Sequence, residues 1–263
     1  MHMTNLKAKY IEDGYVNVKK STSQEALDLE AKVQSLIRSY FSDERKWSGL
    51  KNDDFHQYCY KCQKEINEFD YQKIFLKENA EAIKEVSGIK NLYHESVIFL
   101  RAIRPSKTSL KSDNVGLHRE TMFSDAKIQT SKAHNIWIPL SPVTKLNAVK
   151  YYRGSHQIND NELSYIEDKS TQAVVRGSYG HKLGMLYKPM TINSKLPREN
   201  QRNMDPTMDE FALFSAMTIH GGGVNRSSQL RLSLSMATID CDAIVDNKKY
   251  TAALGKPHYS SLL

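Results

Sequence analysis

Of the nine histidines in the chain, only His118 has a carboxylate two positions on, in Leu117-His118-Arg119-Glu120. On a strand, positions i and i+2 project from one face, so His118 and Glu120 point together while Arg119 points away. An imidazole and a carboxylate side by side can supply two cis ligands to a divalent metal. A third ligand must come from a distant strand. His220 fits, because it ends the apolar run FALFSAMTI and precedes Gly221-Gly222-Gly223. Glycines there let the backbone bend at a rim or pass close to a ligand. Two imidazoles and one acid form the facial triad of non-haem Fe(II) sites, which leaves coordination positions open for chemistry.

The next element reads Leu230-Arg231-Leu232-Ser233-Leu234-Ser235-Met236. Alternation places Arg231, Ser233 and Ser235 on one face and the apolar residues on the other. A guanidinium turned inward needs a partner, because an unpaired buried charge is costly. A dicarboxylic ligand would supply one, accepting two parallel hydrogen bonds from Arg231 and a third from the Ser233 hydroxyl. Taken alone, the stripe reads more simply as the wet face of an amphipathic strand.

Elements must bring these residues together. The first third is helical in pattern: Ser21 or Ser23 caps EALDLEAKVQSLIRSYF, with Leu27, Leu29, Val33, Leu36 and Ile37 near one face. DDFHQYCYKCQKEINEF and FLKENAEAIKEVSG continue it, the latter closing at Gly88. From about Asn91 the pattern changes to short β-type runs: YHESVIFLRAI, VGLHRETM, HNIWIPLSPV, AVKYYRGSH, GMLYKPM, EFALFSAMTIH and LRLSLSMATID. The expected fold is mainly β with flanking helices, a double-stranded β-helix (jelly roll) core braced by N-terminal α-helices. One domain is expected over residues 1–263: a mainly helical part at 1–90, the jelly-roll core at 91–240 and a tail at 241–263.

Composition excludes several classes. No apolar run is long enough for a membrane span, and MHMTNLKAKY has no secretory core. Cys59, Cys62 and Cys241 make no disulfide framework and read as reduced thiols of a cytoplasmic protein. Cys59-Tyr-Lys-Cys62 has no second pair to complete a zinc site and lies in a helical stretch. The net charge of +7 is spread, with one excess at Arg101, Arg104, Lys107 and Lys111. That run is either a solvated loop or a collar for an anionic substrate. No basic helix or aromatic RNA motif points to nucleic acid.

In order, HRE, NIWIPL, RGSH, IHGGG and RLS resemble the phytanoyl-CoA dioxygenase-like branch of the Fe(II)/2-oxoglutarate-dependent dioxygenases, over about residues 95–240. The resemblance implies metal ligation by His118, Glu120 and His220, and a 2-oxoglutarate salt bridge from Arg231 aided by Ser233. It places Trp137 on the wall of the cosubstrate pocket. It implies an enzyme using Fe(II), 2-oxoglutarate and O2 to hydroxylate an unactivated C–H bond of a small molecule, releasing succinate and CO2. Glu120 stands where Asp is usual. Related halogenases lack this carboxylate, so its presence favours hydroxylation.

The basic balance points to an anionic or thioester-linked substrate. Arg101, Arg104, Lys107, Arg119, Tyr152, Arg153 and Asn225 are candidates for the pocket mouth, with solvation the simpler reading for each. Two alternatives stand beside this one: a cupin-type metalloenzyme without 2-oxoglutarate, and a catalytically silent jelly-roll binding protein. Arg231 and Ser233 weigh against the first and Glu120 keeps the second open.

Overall fold

The computed structural model describes residues 3–95, 97–105, 116–120, 127–128, 132–167, 190–246 and 259–262. In chain order the helices and first strands are α1 (Met3–Asp13), β1 (Tyr15–Lys19), α2 (Gln24–Phe41), α3 (Asn52–Glu68), α4 (Tyr71–Glu78), α5 (Ala80–Ser87), β2 (Leu92–Glu95) and β3 (Phe99–Ile103). The strands that follow are β4 (Lys127–Ile128), β5 (Ala133–Pro139), β6 (Val149–Tyr152), β7 (Tyr165–Glu167), β8 (Met190–Ile192), β9 (Gln201–Met204) and β10 (Glu210–Ser215). The last are β11 (His220–Gly221), β12 (Arg231–Asp240), β13 (Ile244–Asp246) and β14 (Tyr259–Ser261).

The large sheet runs β1-β10-β5-β12-β2-β14, with β3 also on β12. The smaller sheet runs β11-β6-β9. Alternation sorts the large sheet into two faces. Ile136, Ile138, Phe211, Leu213, Leu230, Leu232, Leu234 and Met236 pack with the helices, against Val33, Ile37, Phe55, Ile66 and Leu76. On the other face Tyr15, Trp137, Ala212 and Phe214 meet Val149, Tyr151 and Met204 of the smaller sheet. Two sheets thus enclose one interior while helices cover the outside, the expected jelly roll.

Ser23 caps α2 by accepting the Ala26 amide. The stripe of α2 that faces the core is Ala26, Leu29, Val33, Ile37 and Phe41. Leu27, expected near that face, is exposed; spacings of three and four from Leu29 select the other residues. The last helical run breaks at Asn79 into α4 and α5, and Gly88 ends α5 in the left-handed conformation at φ 80°. The 1–90 stretch also contributes β1, which pairs with β10 from Tyr15↔Phe214 to Lys19↔Glu210. The predicted strand YHESVIFLRAI is two strands, β2 and β3, both pairing β12. Most of GMLYKPM lies outside the described residues.

Cys59 and Cys62 are buried on the core face of α3. Burial, with Glu65 nearby, pushes the Cys62 thiol up to about 12, which suits packing and not thiolate chemistry.

Candidate metal and oxo-acid site

The strand segment at His118 and the start of β11 meet as an antiparallel bridge. Gly221 permits this approach, since a Cβ there would come within 3.1 Å of the Gly116 carbonyl oxygen and 3.2 Å of the Leu117 Cα. The glycine serves close contact between chain segments. Glu120 is fixed by its own amide, which donates to the Ala216 carbonyl at 3.1 Å.

The ligating atoms of His118, Glu120 and His220 all lie within 4.8 Å of one another, so the trio could hold a metal ion. Glu120 Oε1 is 3.1 Å from His220 Nε2 and 3.7 Å from His118 Nε2. Perpendicular bonds of about 2.1 Å would set two ligand atoms about 3 Å apart, so the spacing suits a cation. Each ring is oriented through its other nitrogen: His118 Nδ1 on the Gly116 carbonyl at 2.7 Å, His220 Nδ1 on the Thr218 carbonyl at 2.9 Å. Carbonyls only accept, so Nδ1 carries a hydrogen and Nε2 is the atom turned to Glu120, a donor when the ring is protonated and a lone pair when it is neutral. Lone pairs and a carboxylate converge on a gap that takes a shared proton or a metal ion. Phe214 packs edge-on against His220, with centroids 4.8 Å apart, and holds the ring plane.

Electrostatics favour the ligating forms. Burial lowers the His118 pKa below 6.5, and the His220 ring adds to the effect. Burial pushes the Glu120 carboxyl up, but hydrogen bonding to His118 and His220 more than offsets this and holds it well below the usual carboxylate range. Arg231 is 3% exposed and Ser233 fully buried. Arg231 Nη1 donates to the Asn147 carbonyl at 2.6 Å, while its Nε and the Ser233 hydroxyl have no partner. Among the described residues no carboxylate forms an ion pair with this guanidinium. Burial pulls its pKa down to about 10.

Strand register puts these groups on the enclosed face. Ser233 pairs with Pro139, Ser235 with Trp137 and Ala237 with Asn135. Asn135 and Trp137 pair in turn with Phe214 and Ala212. The sequence reading missed Asn135, whose amide nitrogen is buried and without a partner. Alternation in Asn135-Ile136-Trp137 would have found it. It also missed Asn147, whose side chain caps its own turn through Pro142 and Thr144 and so presents its carbonyl to Arg231.

The candidates for the pocket mouth separate. Arg119, Tyr152 and Asn225 are buried, not solvated. Asn225 donates to the carbonyls of Ile103 and Gln229, a structural bond set. Arg153 pairs with Asp13 and Glu12 of α1. Arg104 lies 4.3 Å over the Phe55 ring and donates to the Leu50 carbonyl. Arg101 shares the enclosed face, opposite Ser233 in register. Lys107 and Lys111 lie outside the described residues. His156 bonds the Ile11 carbonyl, a contact within the fold.

Residues 10–233 match the phytanoyl-CoA dioxygenase (PhyH) family model. The chain belongs to this family. It is thereby an iron- and 2-oxoglutarate-dependent oxygenase. No curated protein matches it in sequence. Among solved structures, EvdO2 from Micromonospora carbonacea var. aurantiaca, complexed with 2-oxoglutarate, aligns over 95% of this chain and 96% of its own, at 10% identity and a TM-score of 0.61. The apo non-heme monooxygenase ThoJ covers 97% and 89% at 15% identity, with a TM-score of 0.54. The non-heme alpha ketoglutarate-dependent epimerase SnoN from nogalamycin biosynthesis covers 99% and 98% at 15% identity, with a TM-score of 0.53. These likenesses show the fold. Among the described residues no helix is long and apolar enough to cross a membrane.

Proposed function

We propose that His118, Glu120 and His220 hold Fe(II), that Arg231 and Ser233 take the distal carboxylate of 2-oxoglutarate, and that the enzyme hydroxylates an unactivated C–H bond of a small molecule. One observation carries the reading: a buried guanidinium without a carboxylate among the described residues lies on the sheet face turned toward the smaller sheet, whose strand β11 brings His220 to the His-Glu-His cluster. A buried charge and hydroxyl left without partners fit an anionic ligand.

When bound, iron, 2-oxoglutarate and O2 supply the oxidant, one oxygen atom passing to succinate and the other to the substrate. The protein holds and excludes. Nδ1 hydrogen bonds fix both imidazoles, the ionised Glu120 balances cationic charge, and the Asn147 carbonyl aims Arg231. Trp137 forms the wall beside Ser235. Asn135 adds an amide donor for an oxygen atom of the oxo acid or the substrate.

Glu120 would occupy the position that halogenases leave to halide, which favours hydroxylation over halogenation. The epimerase SnoN is described in complex with Fe3+, alpha ketoglutarate and nogalamycin RO, which supports a small organic substrate here. Arg101 on the enclosed face supports an anionic or thioester-linked one. We take residues 1–263 as one oxygenase domain, and a cysteine spacing without a disulfide framework supports a cytoplasmic setting.

The test is succinate release from 2-oxoglutarate with and without Fe(II), before any substrate is known. Slow iron-dependent succinate formation, absent in His118→Ala and Arg231→Ala, is expected. Equal release without iron would refute the proposal.

A further inference from the structure

We infer that Arg119, the residue between two of the proposed iron ligands, is a positioning residue that locks the metal centre together through Ser155. The inference rests on the proposed ligand set. Arg119 is the largest fully buried side chain among the described residues. It projects opposite to His118 and Glu120, into the turn at 155–160. Nη2 donates to the carbonyls of Ser155 at 2.8 Å and Ile158 at 2.7 Å. Nη1 pairs with Asp160 Oδ1, and the Tyr165 hydroxyl donates to that same oxygen at 2.7 Å.

Ser155 then reaches the other ligand-bearing segment. Its hydroxyl accepts the Ile219 amide at 2.9 Å and donates to the Tyr152 carbonyl at 2.6 Å. The Tyr152 amide in turn donates to the Ile219 carbonyl at 2.9 Å. Ile219 immediately precedes His220. A single turn therefore fixes the segment carrying His118 and Glu120 through its carbonyl, and the strand carrying His220 through its hydroxyl.

Stability alone does not call for a guanidinium there, since well-packed apolar residues commonly replace buried ion pairs without loss. A planar fork reaching two carbonyls and a carboxylate fixes angle and distance together. Groups that orient metal ligands change metal affinity when removed, even without touching the ion.

The test titrates the protein with Co(II) alone, reading the visible ligand-field bands and the apparent affinity. Thermal unfolding of the metal-free samples is followed alongside. Arg119→Met and Arg119→Lys should both bind about tenfold more weakly, with displaced bands. Methionine retains the packing and lysine the charge, but neither makes the fork. Wild-type bands and affinity in either variant would overturn the inference. Should Arg119→Met fail to fold, Asp160→Asn replaces it, since the Asp160 carboxylate is 57% exposed. That variant should shift the bands in the same direction by a smaller amount, and unchanged bands would again count against the inference. His118→Ala separates the two claims. Retained Co(II) binding there removes the ligand set itself, whereas lost binding with an unmoved Arg119→Met spectrum removes only the role of Arg119.

Discussion

His118 and His220 exchange backbone hydrogen bonds, His118 N–H to the His220 carbonyl at 2.8 Å and the reverse at 3.0 Å. Their rings stand 4.4 Å apart, centroid to centroid. Two ligands far apart in sequence thus hold one register, and the metal site inherits the precision of a strand pair. Gly221 is the residue most exposed to disruption. Gly221→Ala should force the segments apart, costing about 1–3 kcal/mol of stability and weakening Co(II) binding about tenfold. Denaturant unfolding and metal titration read the two effects, and an unchanged metal affinity would show that the bridge does not set the ligand spacing.

Arg231 should give effects of opposite sign in two measurements. Removing its charge in Arg231→Met takes away a buried group that lacks a carboxylate, so the ligand-free protein should unfold no earlier than wild type. Binding of 2-oxoglutarate, by contrast, should weaken by on the order of 3 kcal/mol. Ser233→Ala should lose less, about 1 kcal/mol. Calorimetric titration with 2-oxoglutarate settles the ordering, and equal affinity in Arg231→Met would remove its assigned role.

His134 predicts how stability varies with pH. Burial pulls its pKa from 6.5 to about 4 in the folded protein. Its Nδ1 forms a short hydrogen bond with the buried Tyr10 hydroxyl. Above about 6.5 the ring is neutral in both states and its contribution is complete. As pH falls from 6.5 through about 4 the unfolded chain takes up the proton first, so stability declines, on the order of 3 kcal/mol in total. Melting curves of wild type and His134→Gln between pH 7 and 4 should show a shallower decline in the variant. Parallel declines would refute the assignment.

The proposed ligands make a related prediction for metal binding. Burial and His220 hold His118 below its ordinary 6.5, and the imidazoles hold Glu120 well below the usual carboxylate range. His118 therefore keeps its ligating form to a lower pH than a free imidazole. Glu120→Gln keeps the shape but loses the charge, and should weaken binding by about 10-fold or more. A wild-type affinity in that variant would exclude Glu120 as a ligand.

Much of this site was legible because strand chemistry has a period of two. Arg231-Leu232-Ser233 separates a polar interior from an apolar exterior, whereas His118 and Glu120 converge although their segment forms a single bridge and no strand. Long-range pairing was less legible. β1 comes from a segment flanked by helices, and only its contact with β10 makes it part of the large sheet. Arg119 was read as turned away from the site, which holds. Its burial depends on a turn at 155–160 that local spacing cannot bring to residue 119. Alternation puts Asn135 on the face of Trp137, but that its amide lacks a partner emerges only once Phe214 and Ala237 flank it.

The central claim is that His118, Glu120, His220 and Arg231 form one iron and oxo-acid site. Anaerobic addition of Fe(II) and 2-oxoglutarate, followed by visible absorption, tests it most directly. The account predicts a metal-to-ligand charge-transfer band that needs both components, saturates at one iron per chain, and vanishes in His220→Ala. A colourless mixture at saturating concentrations, or a band of full intensity in His220→Ala, would contradict it.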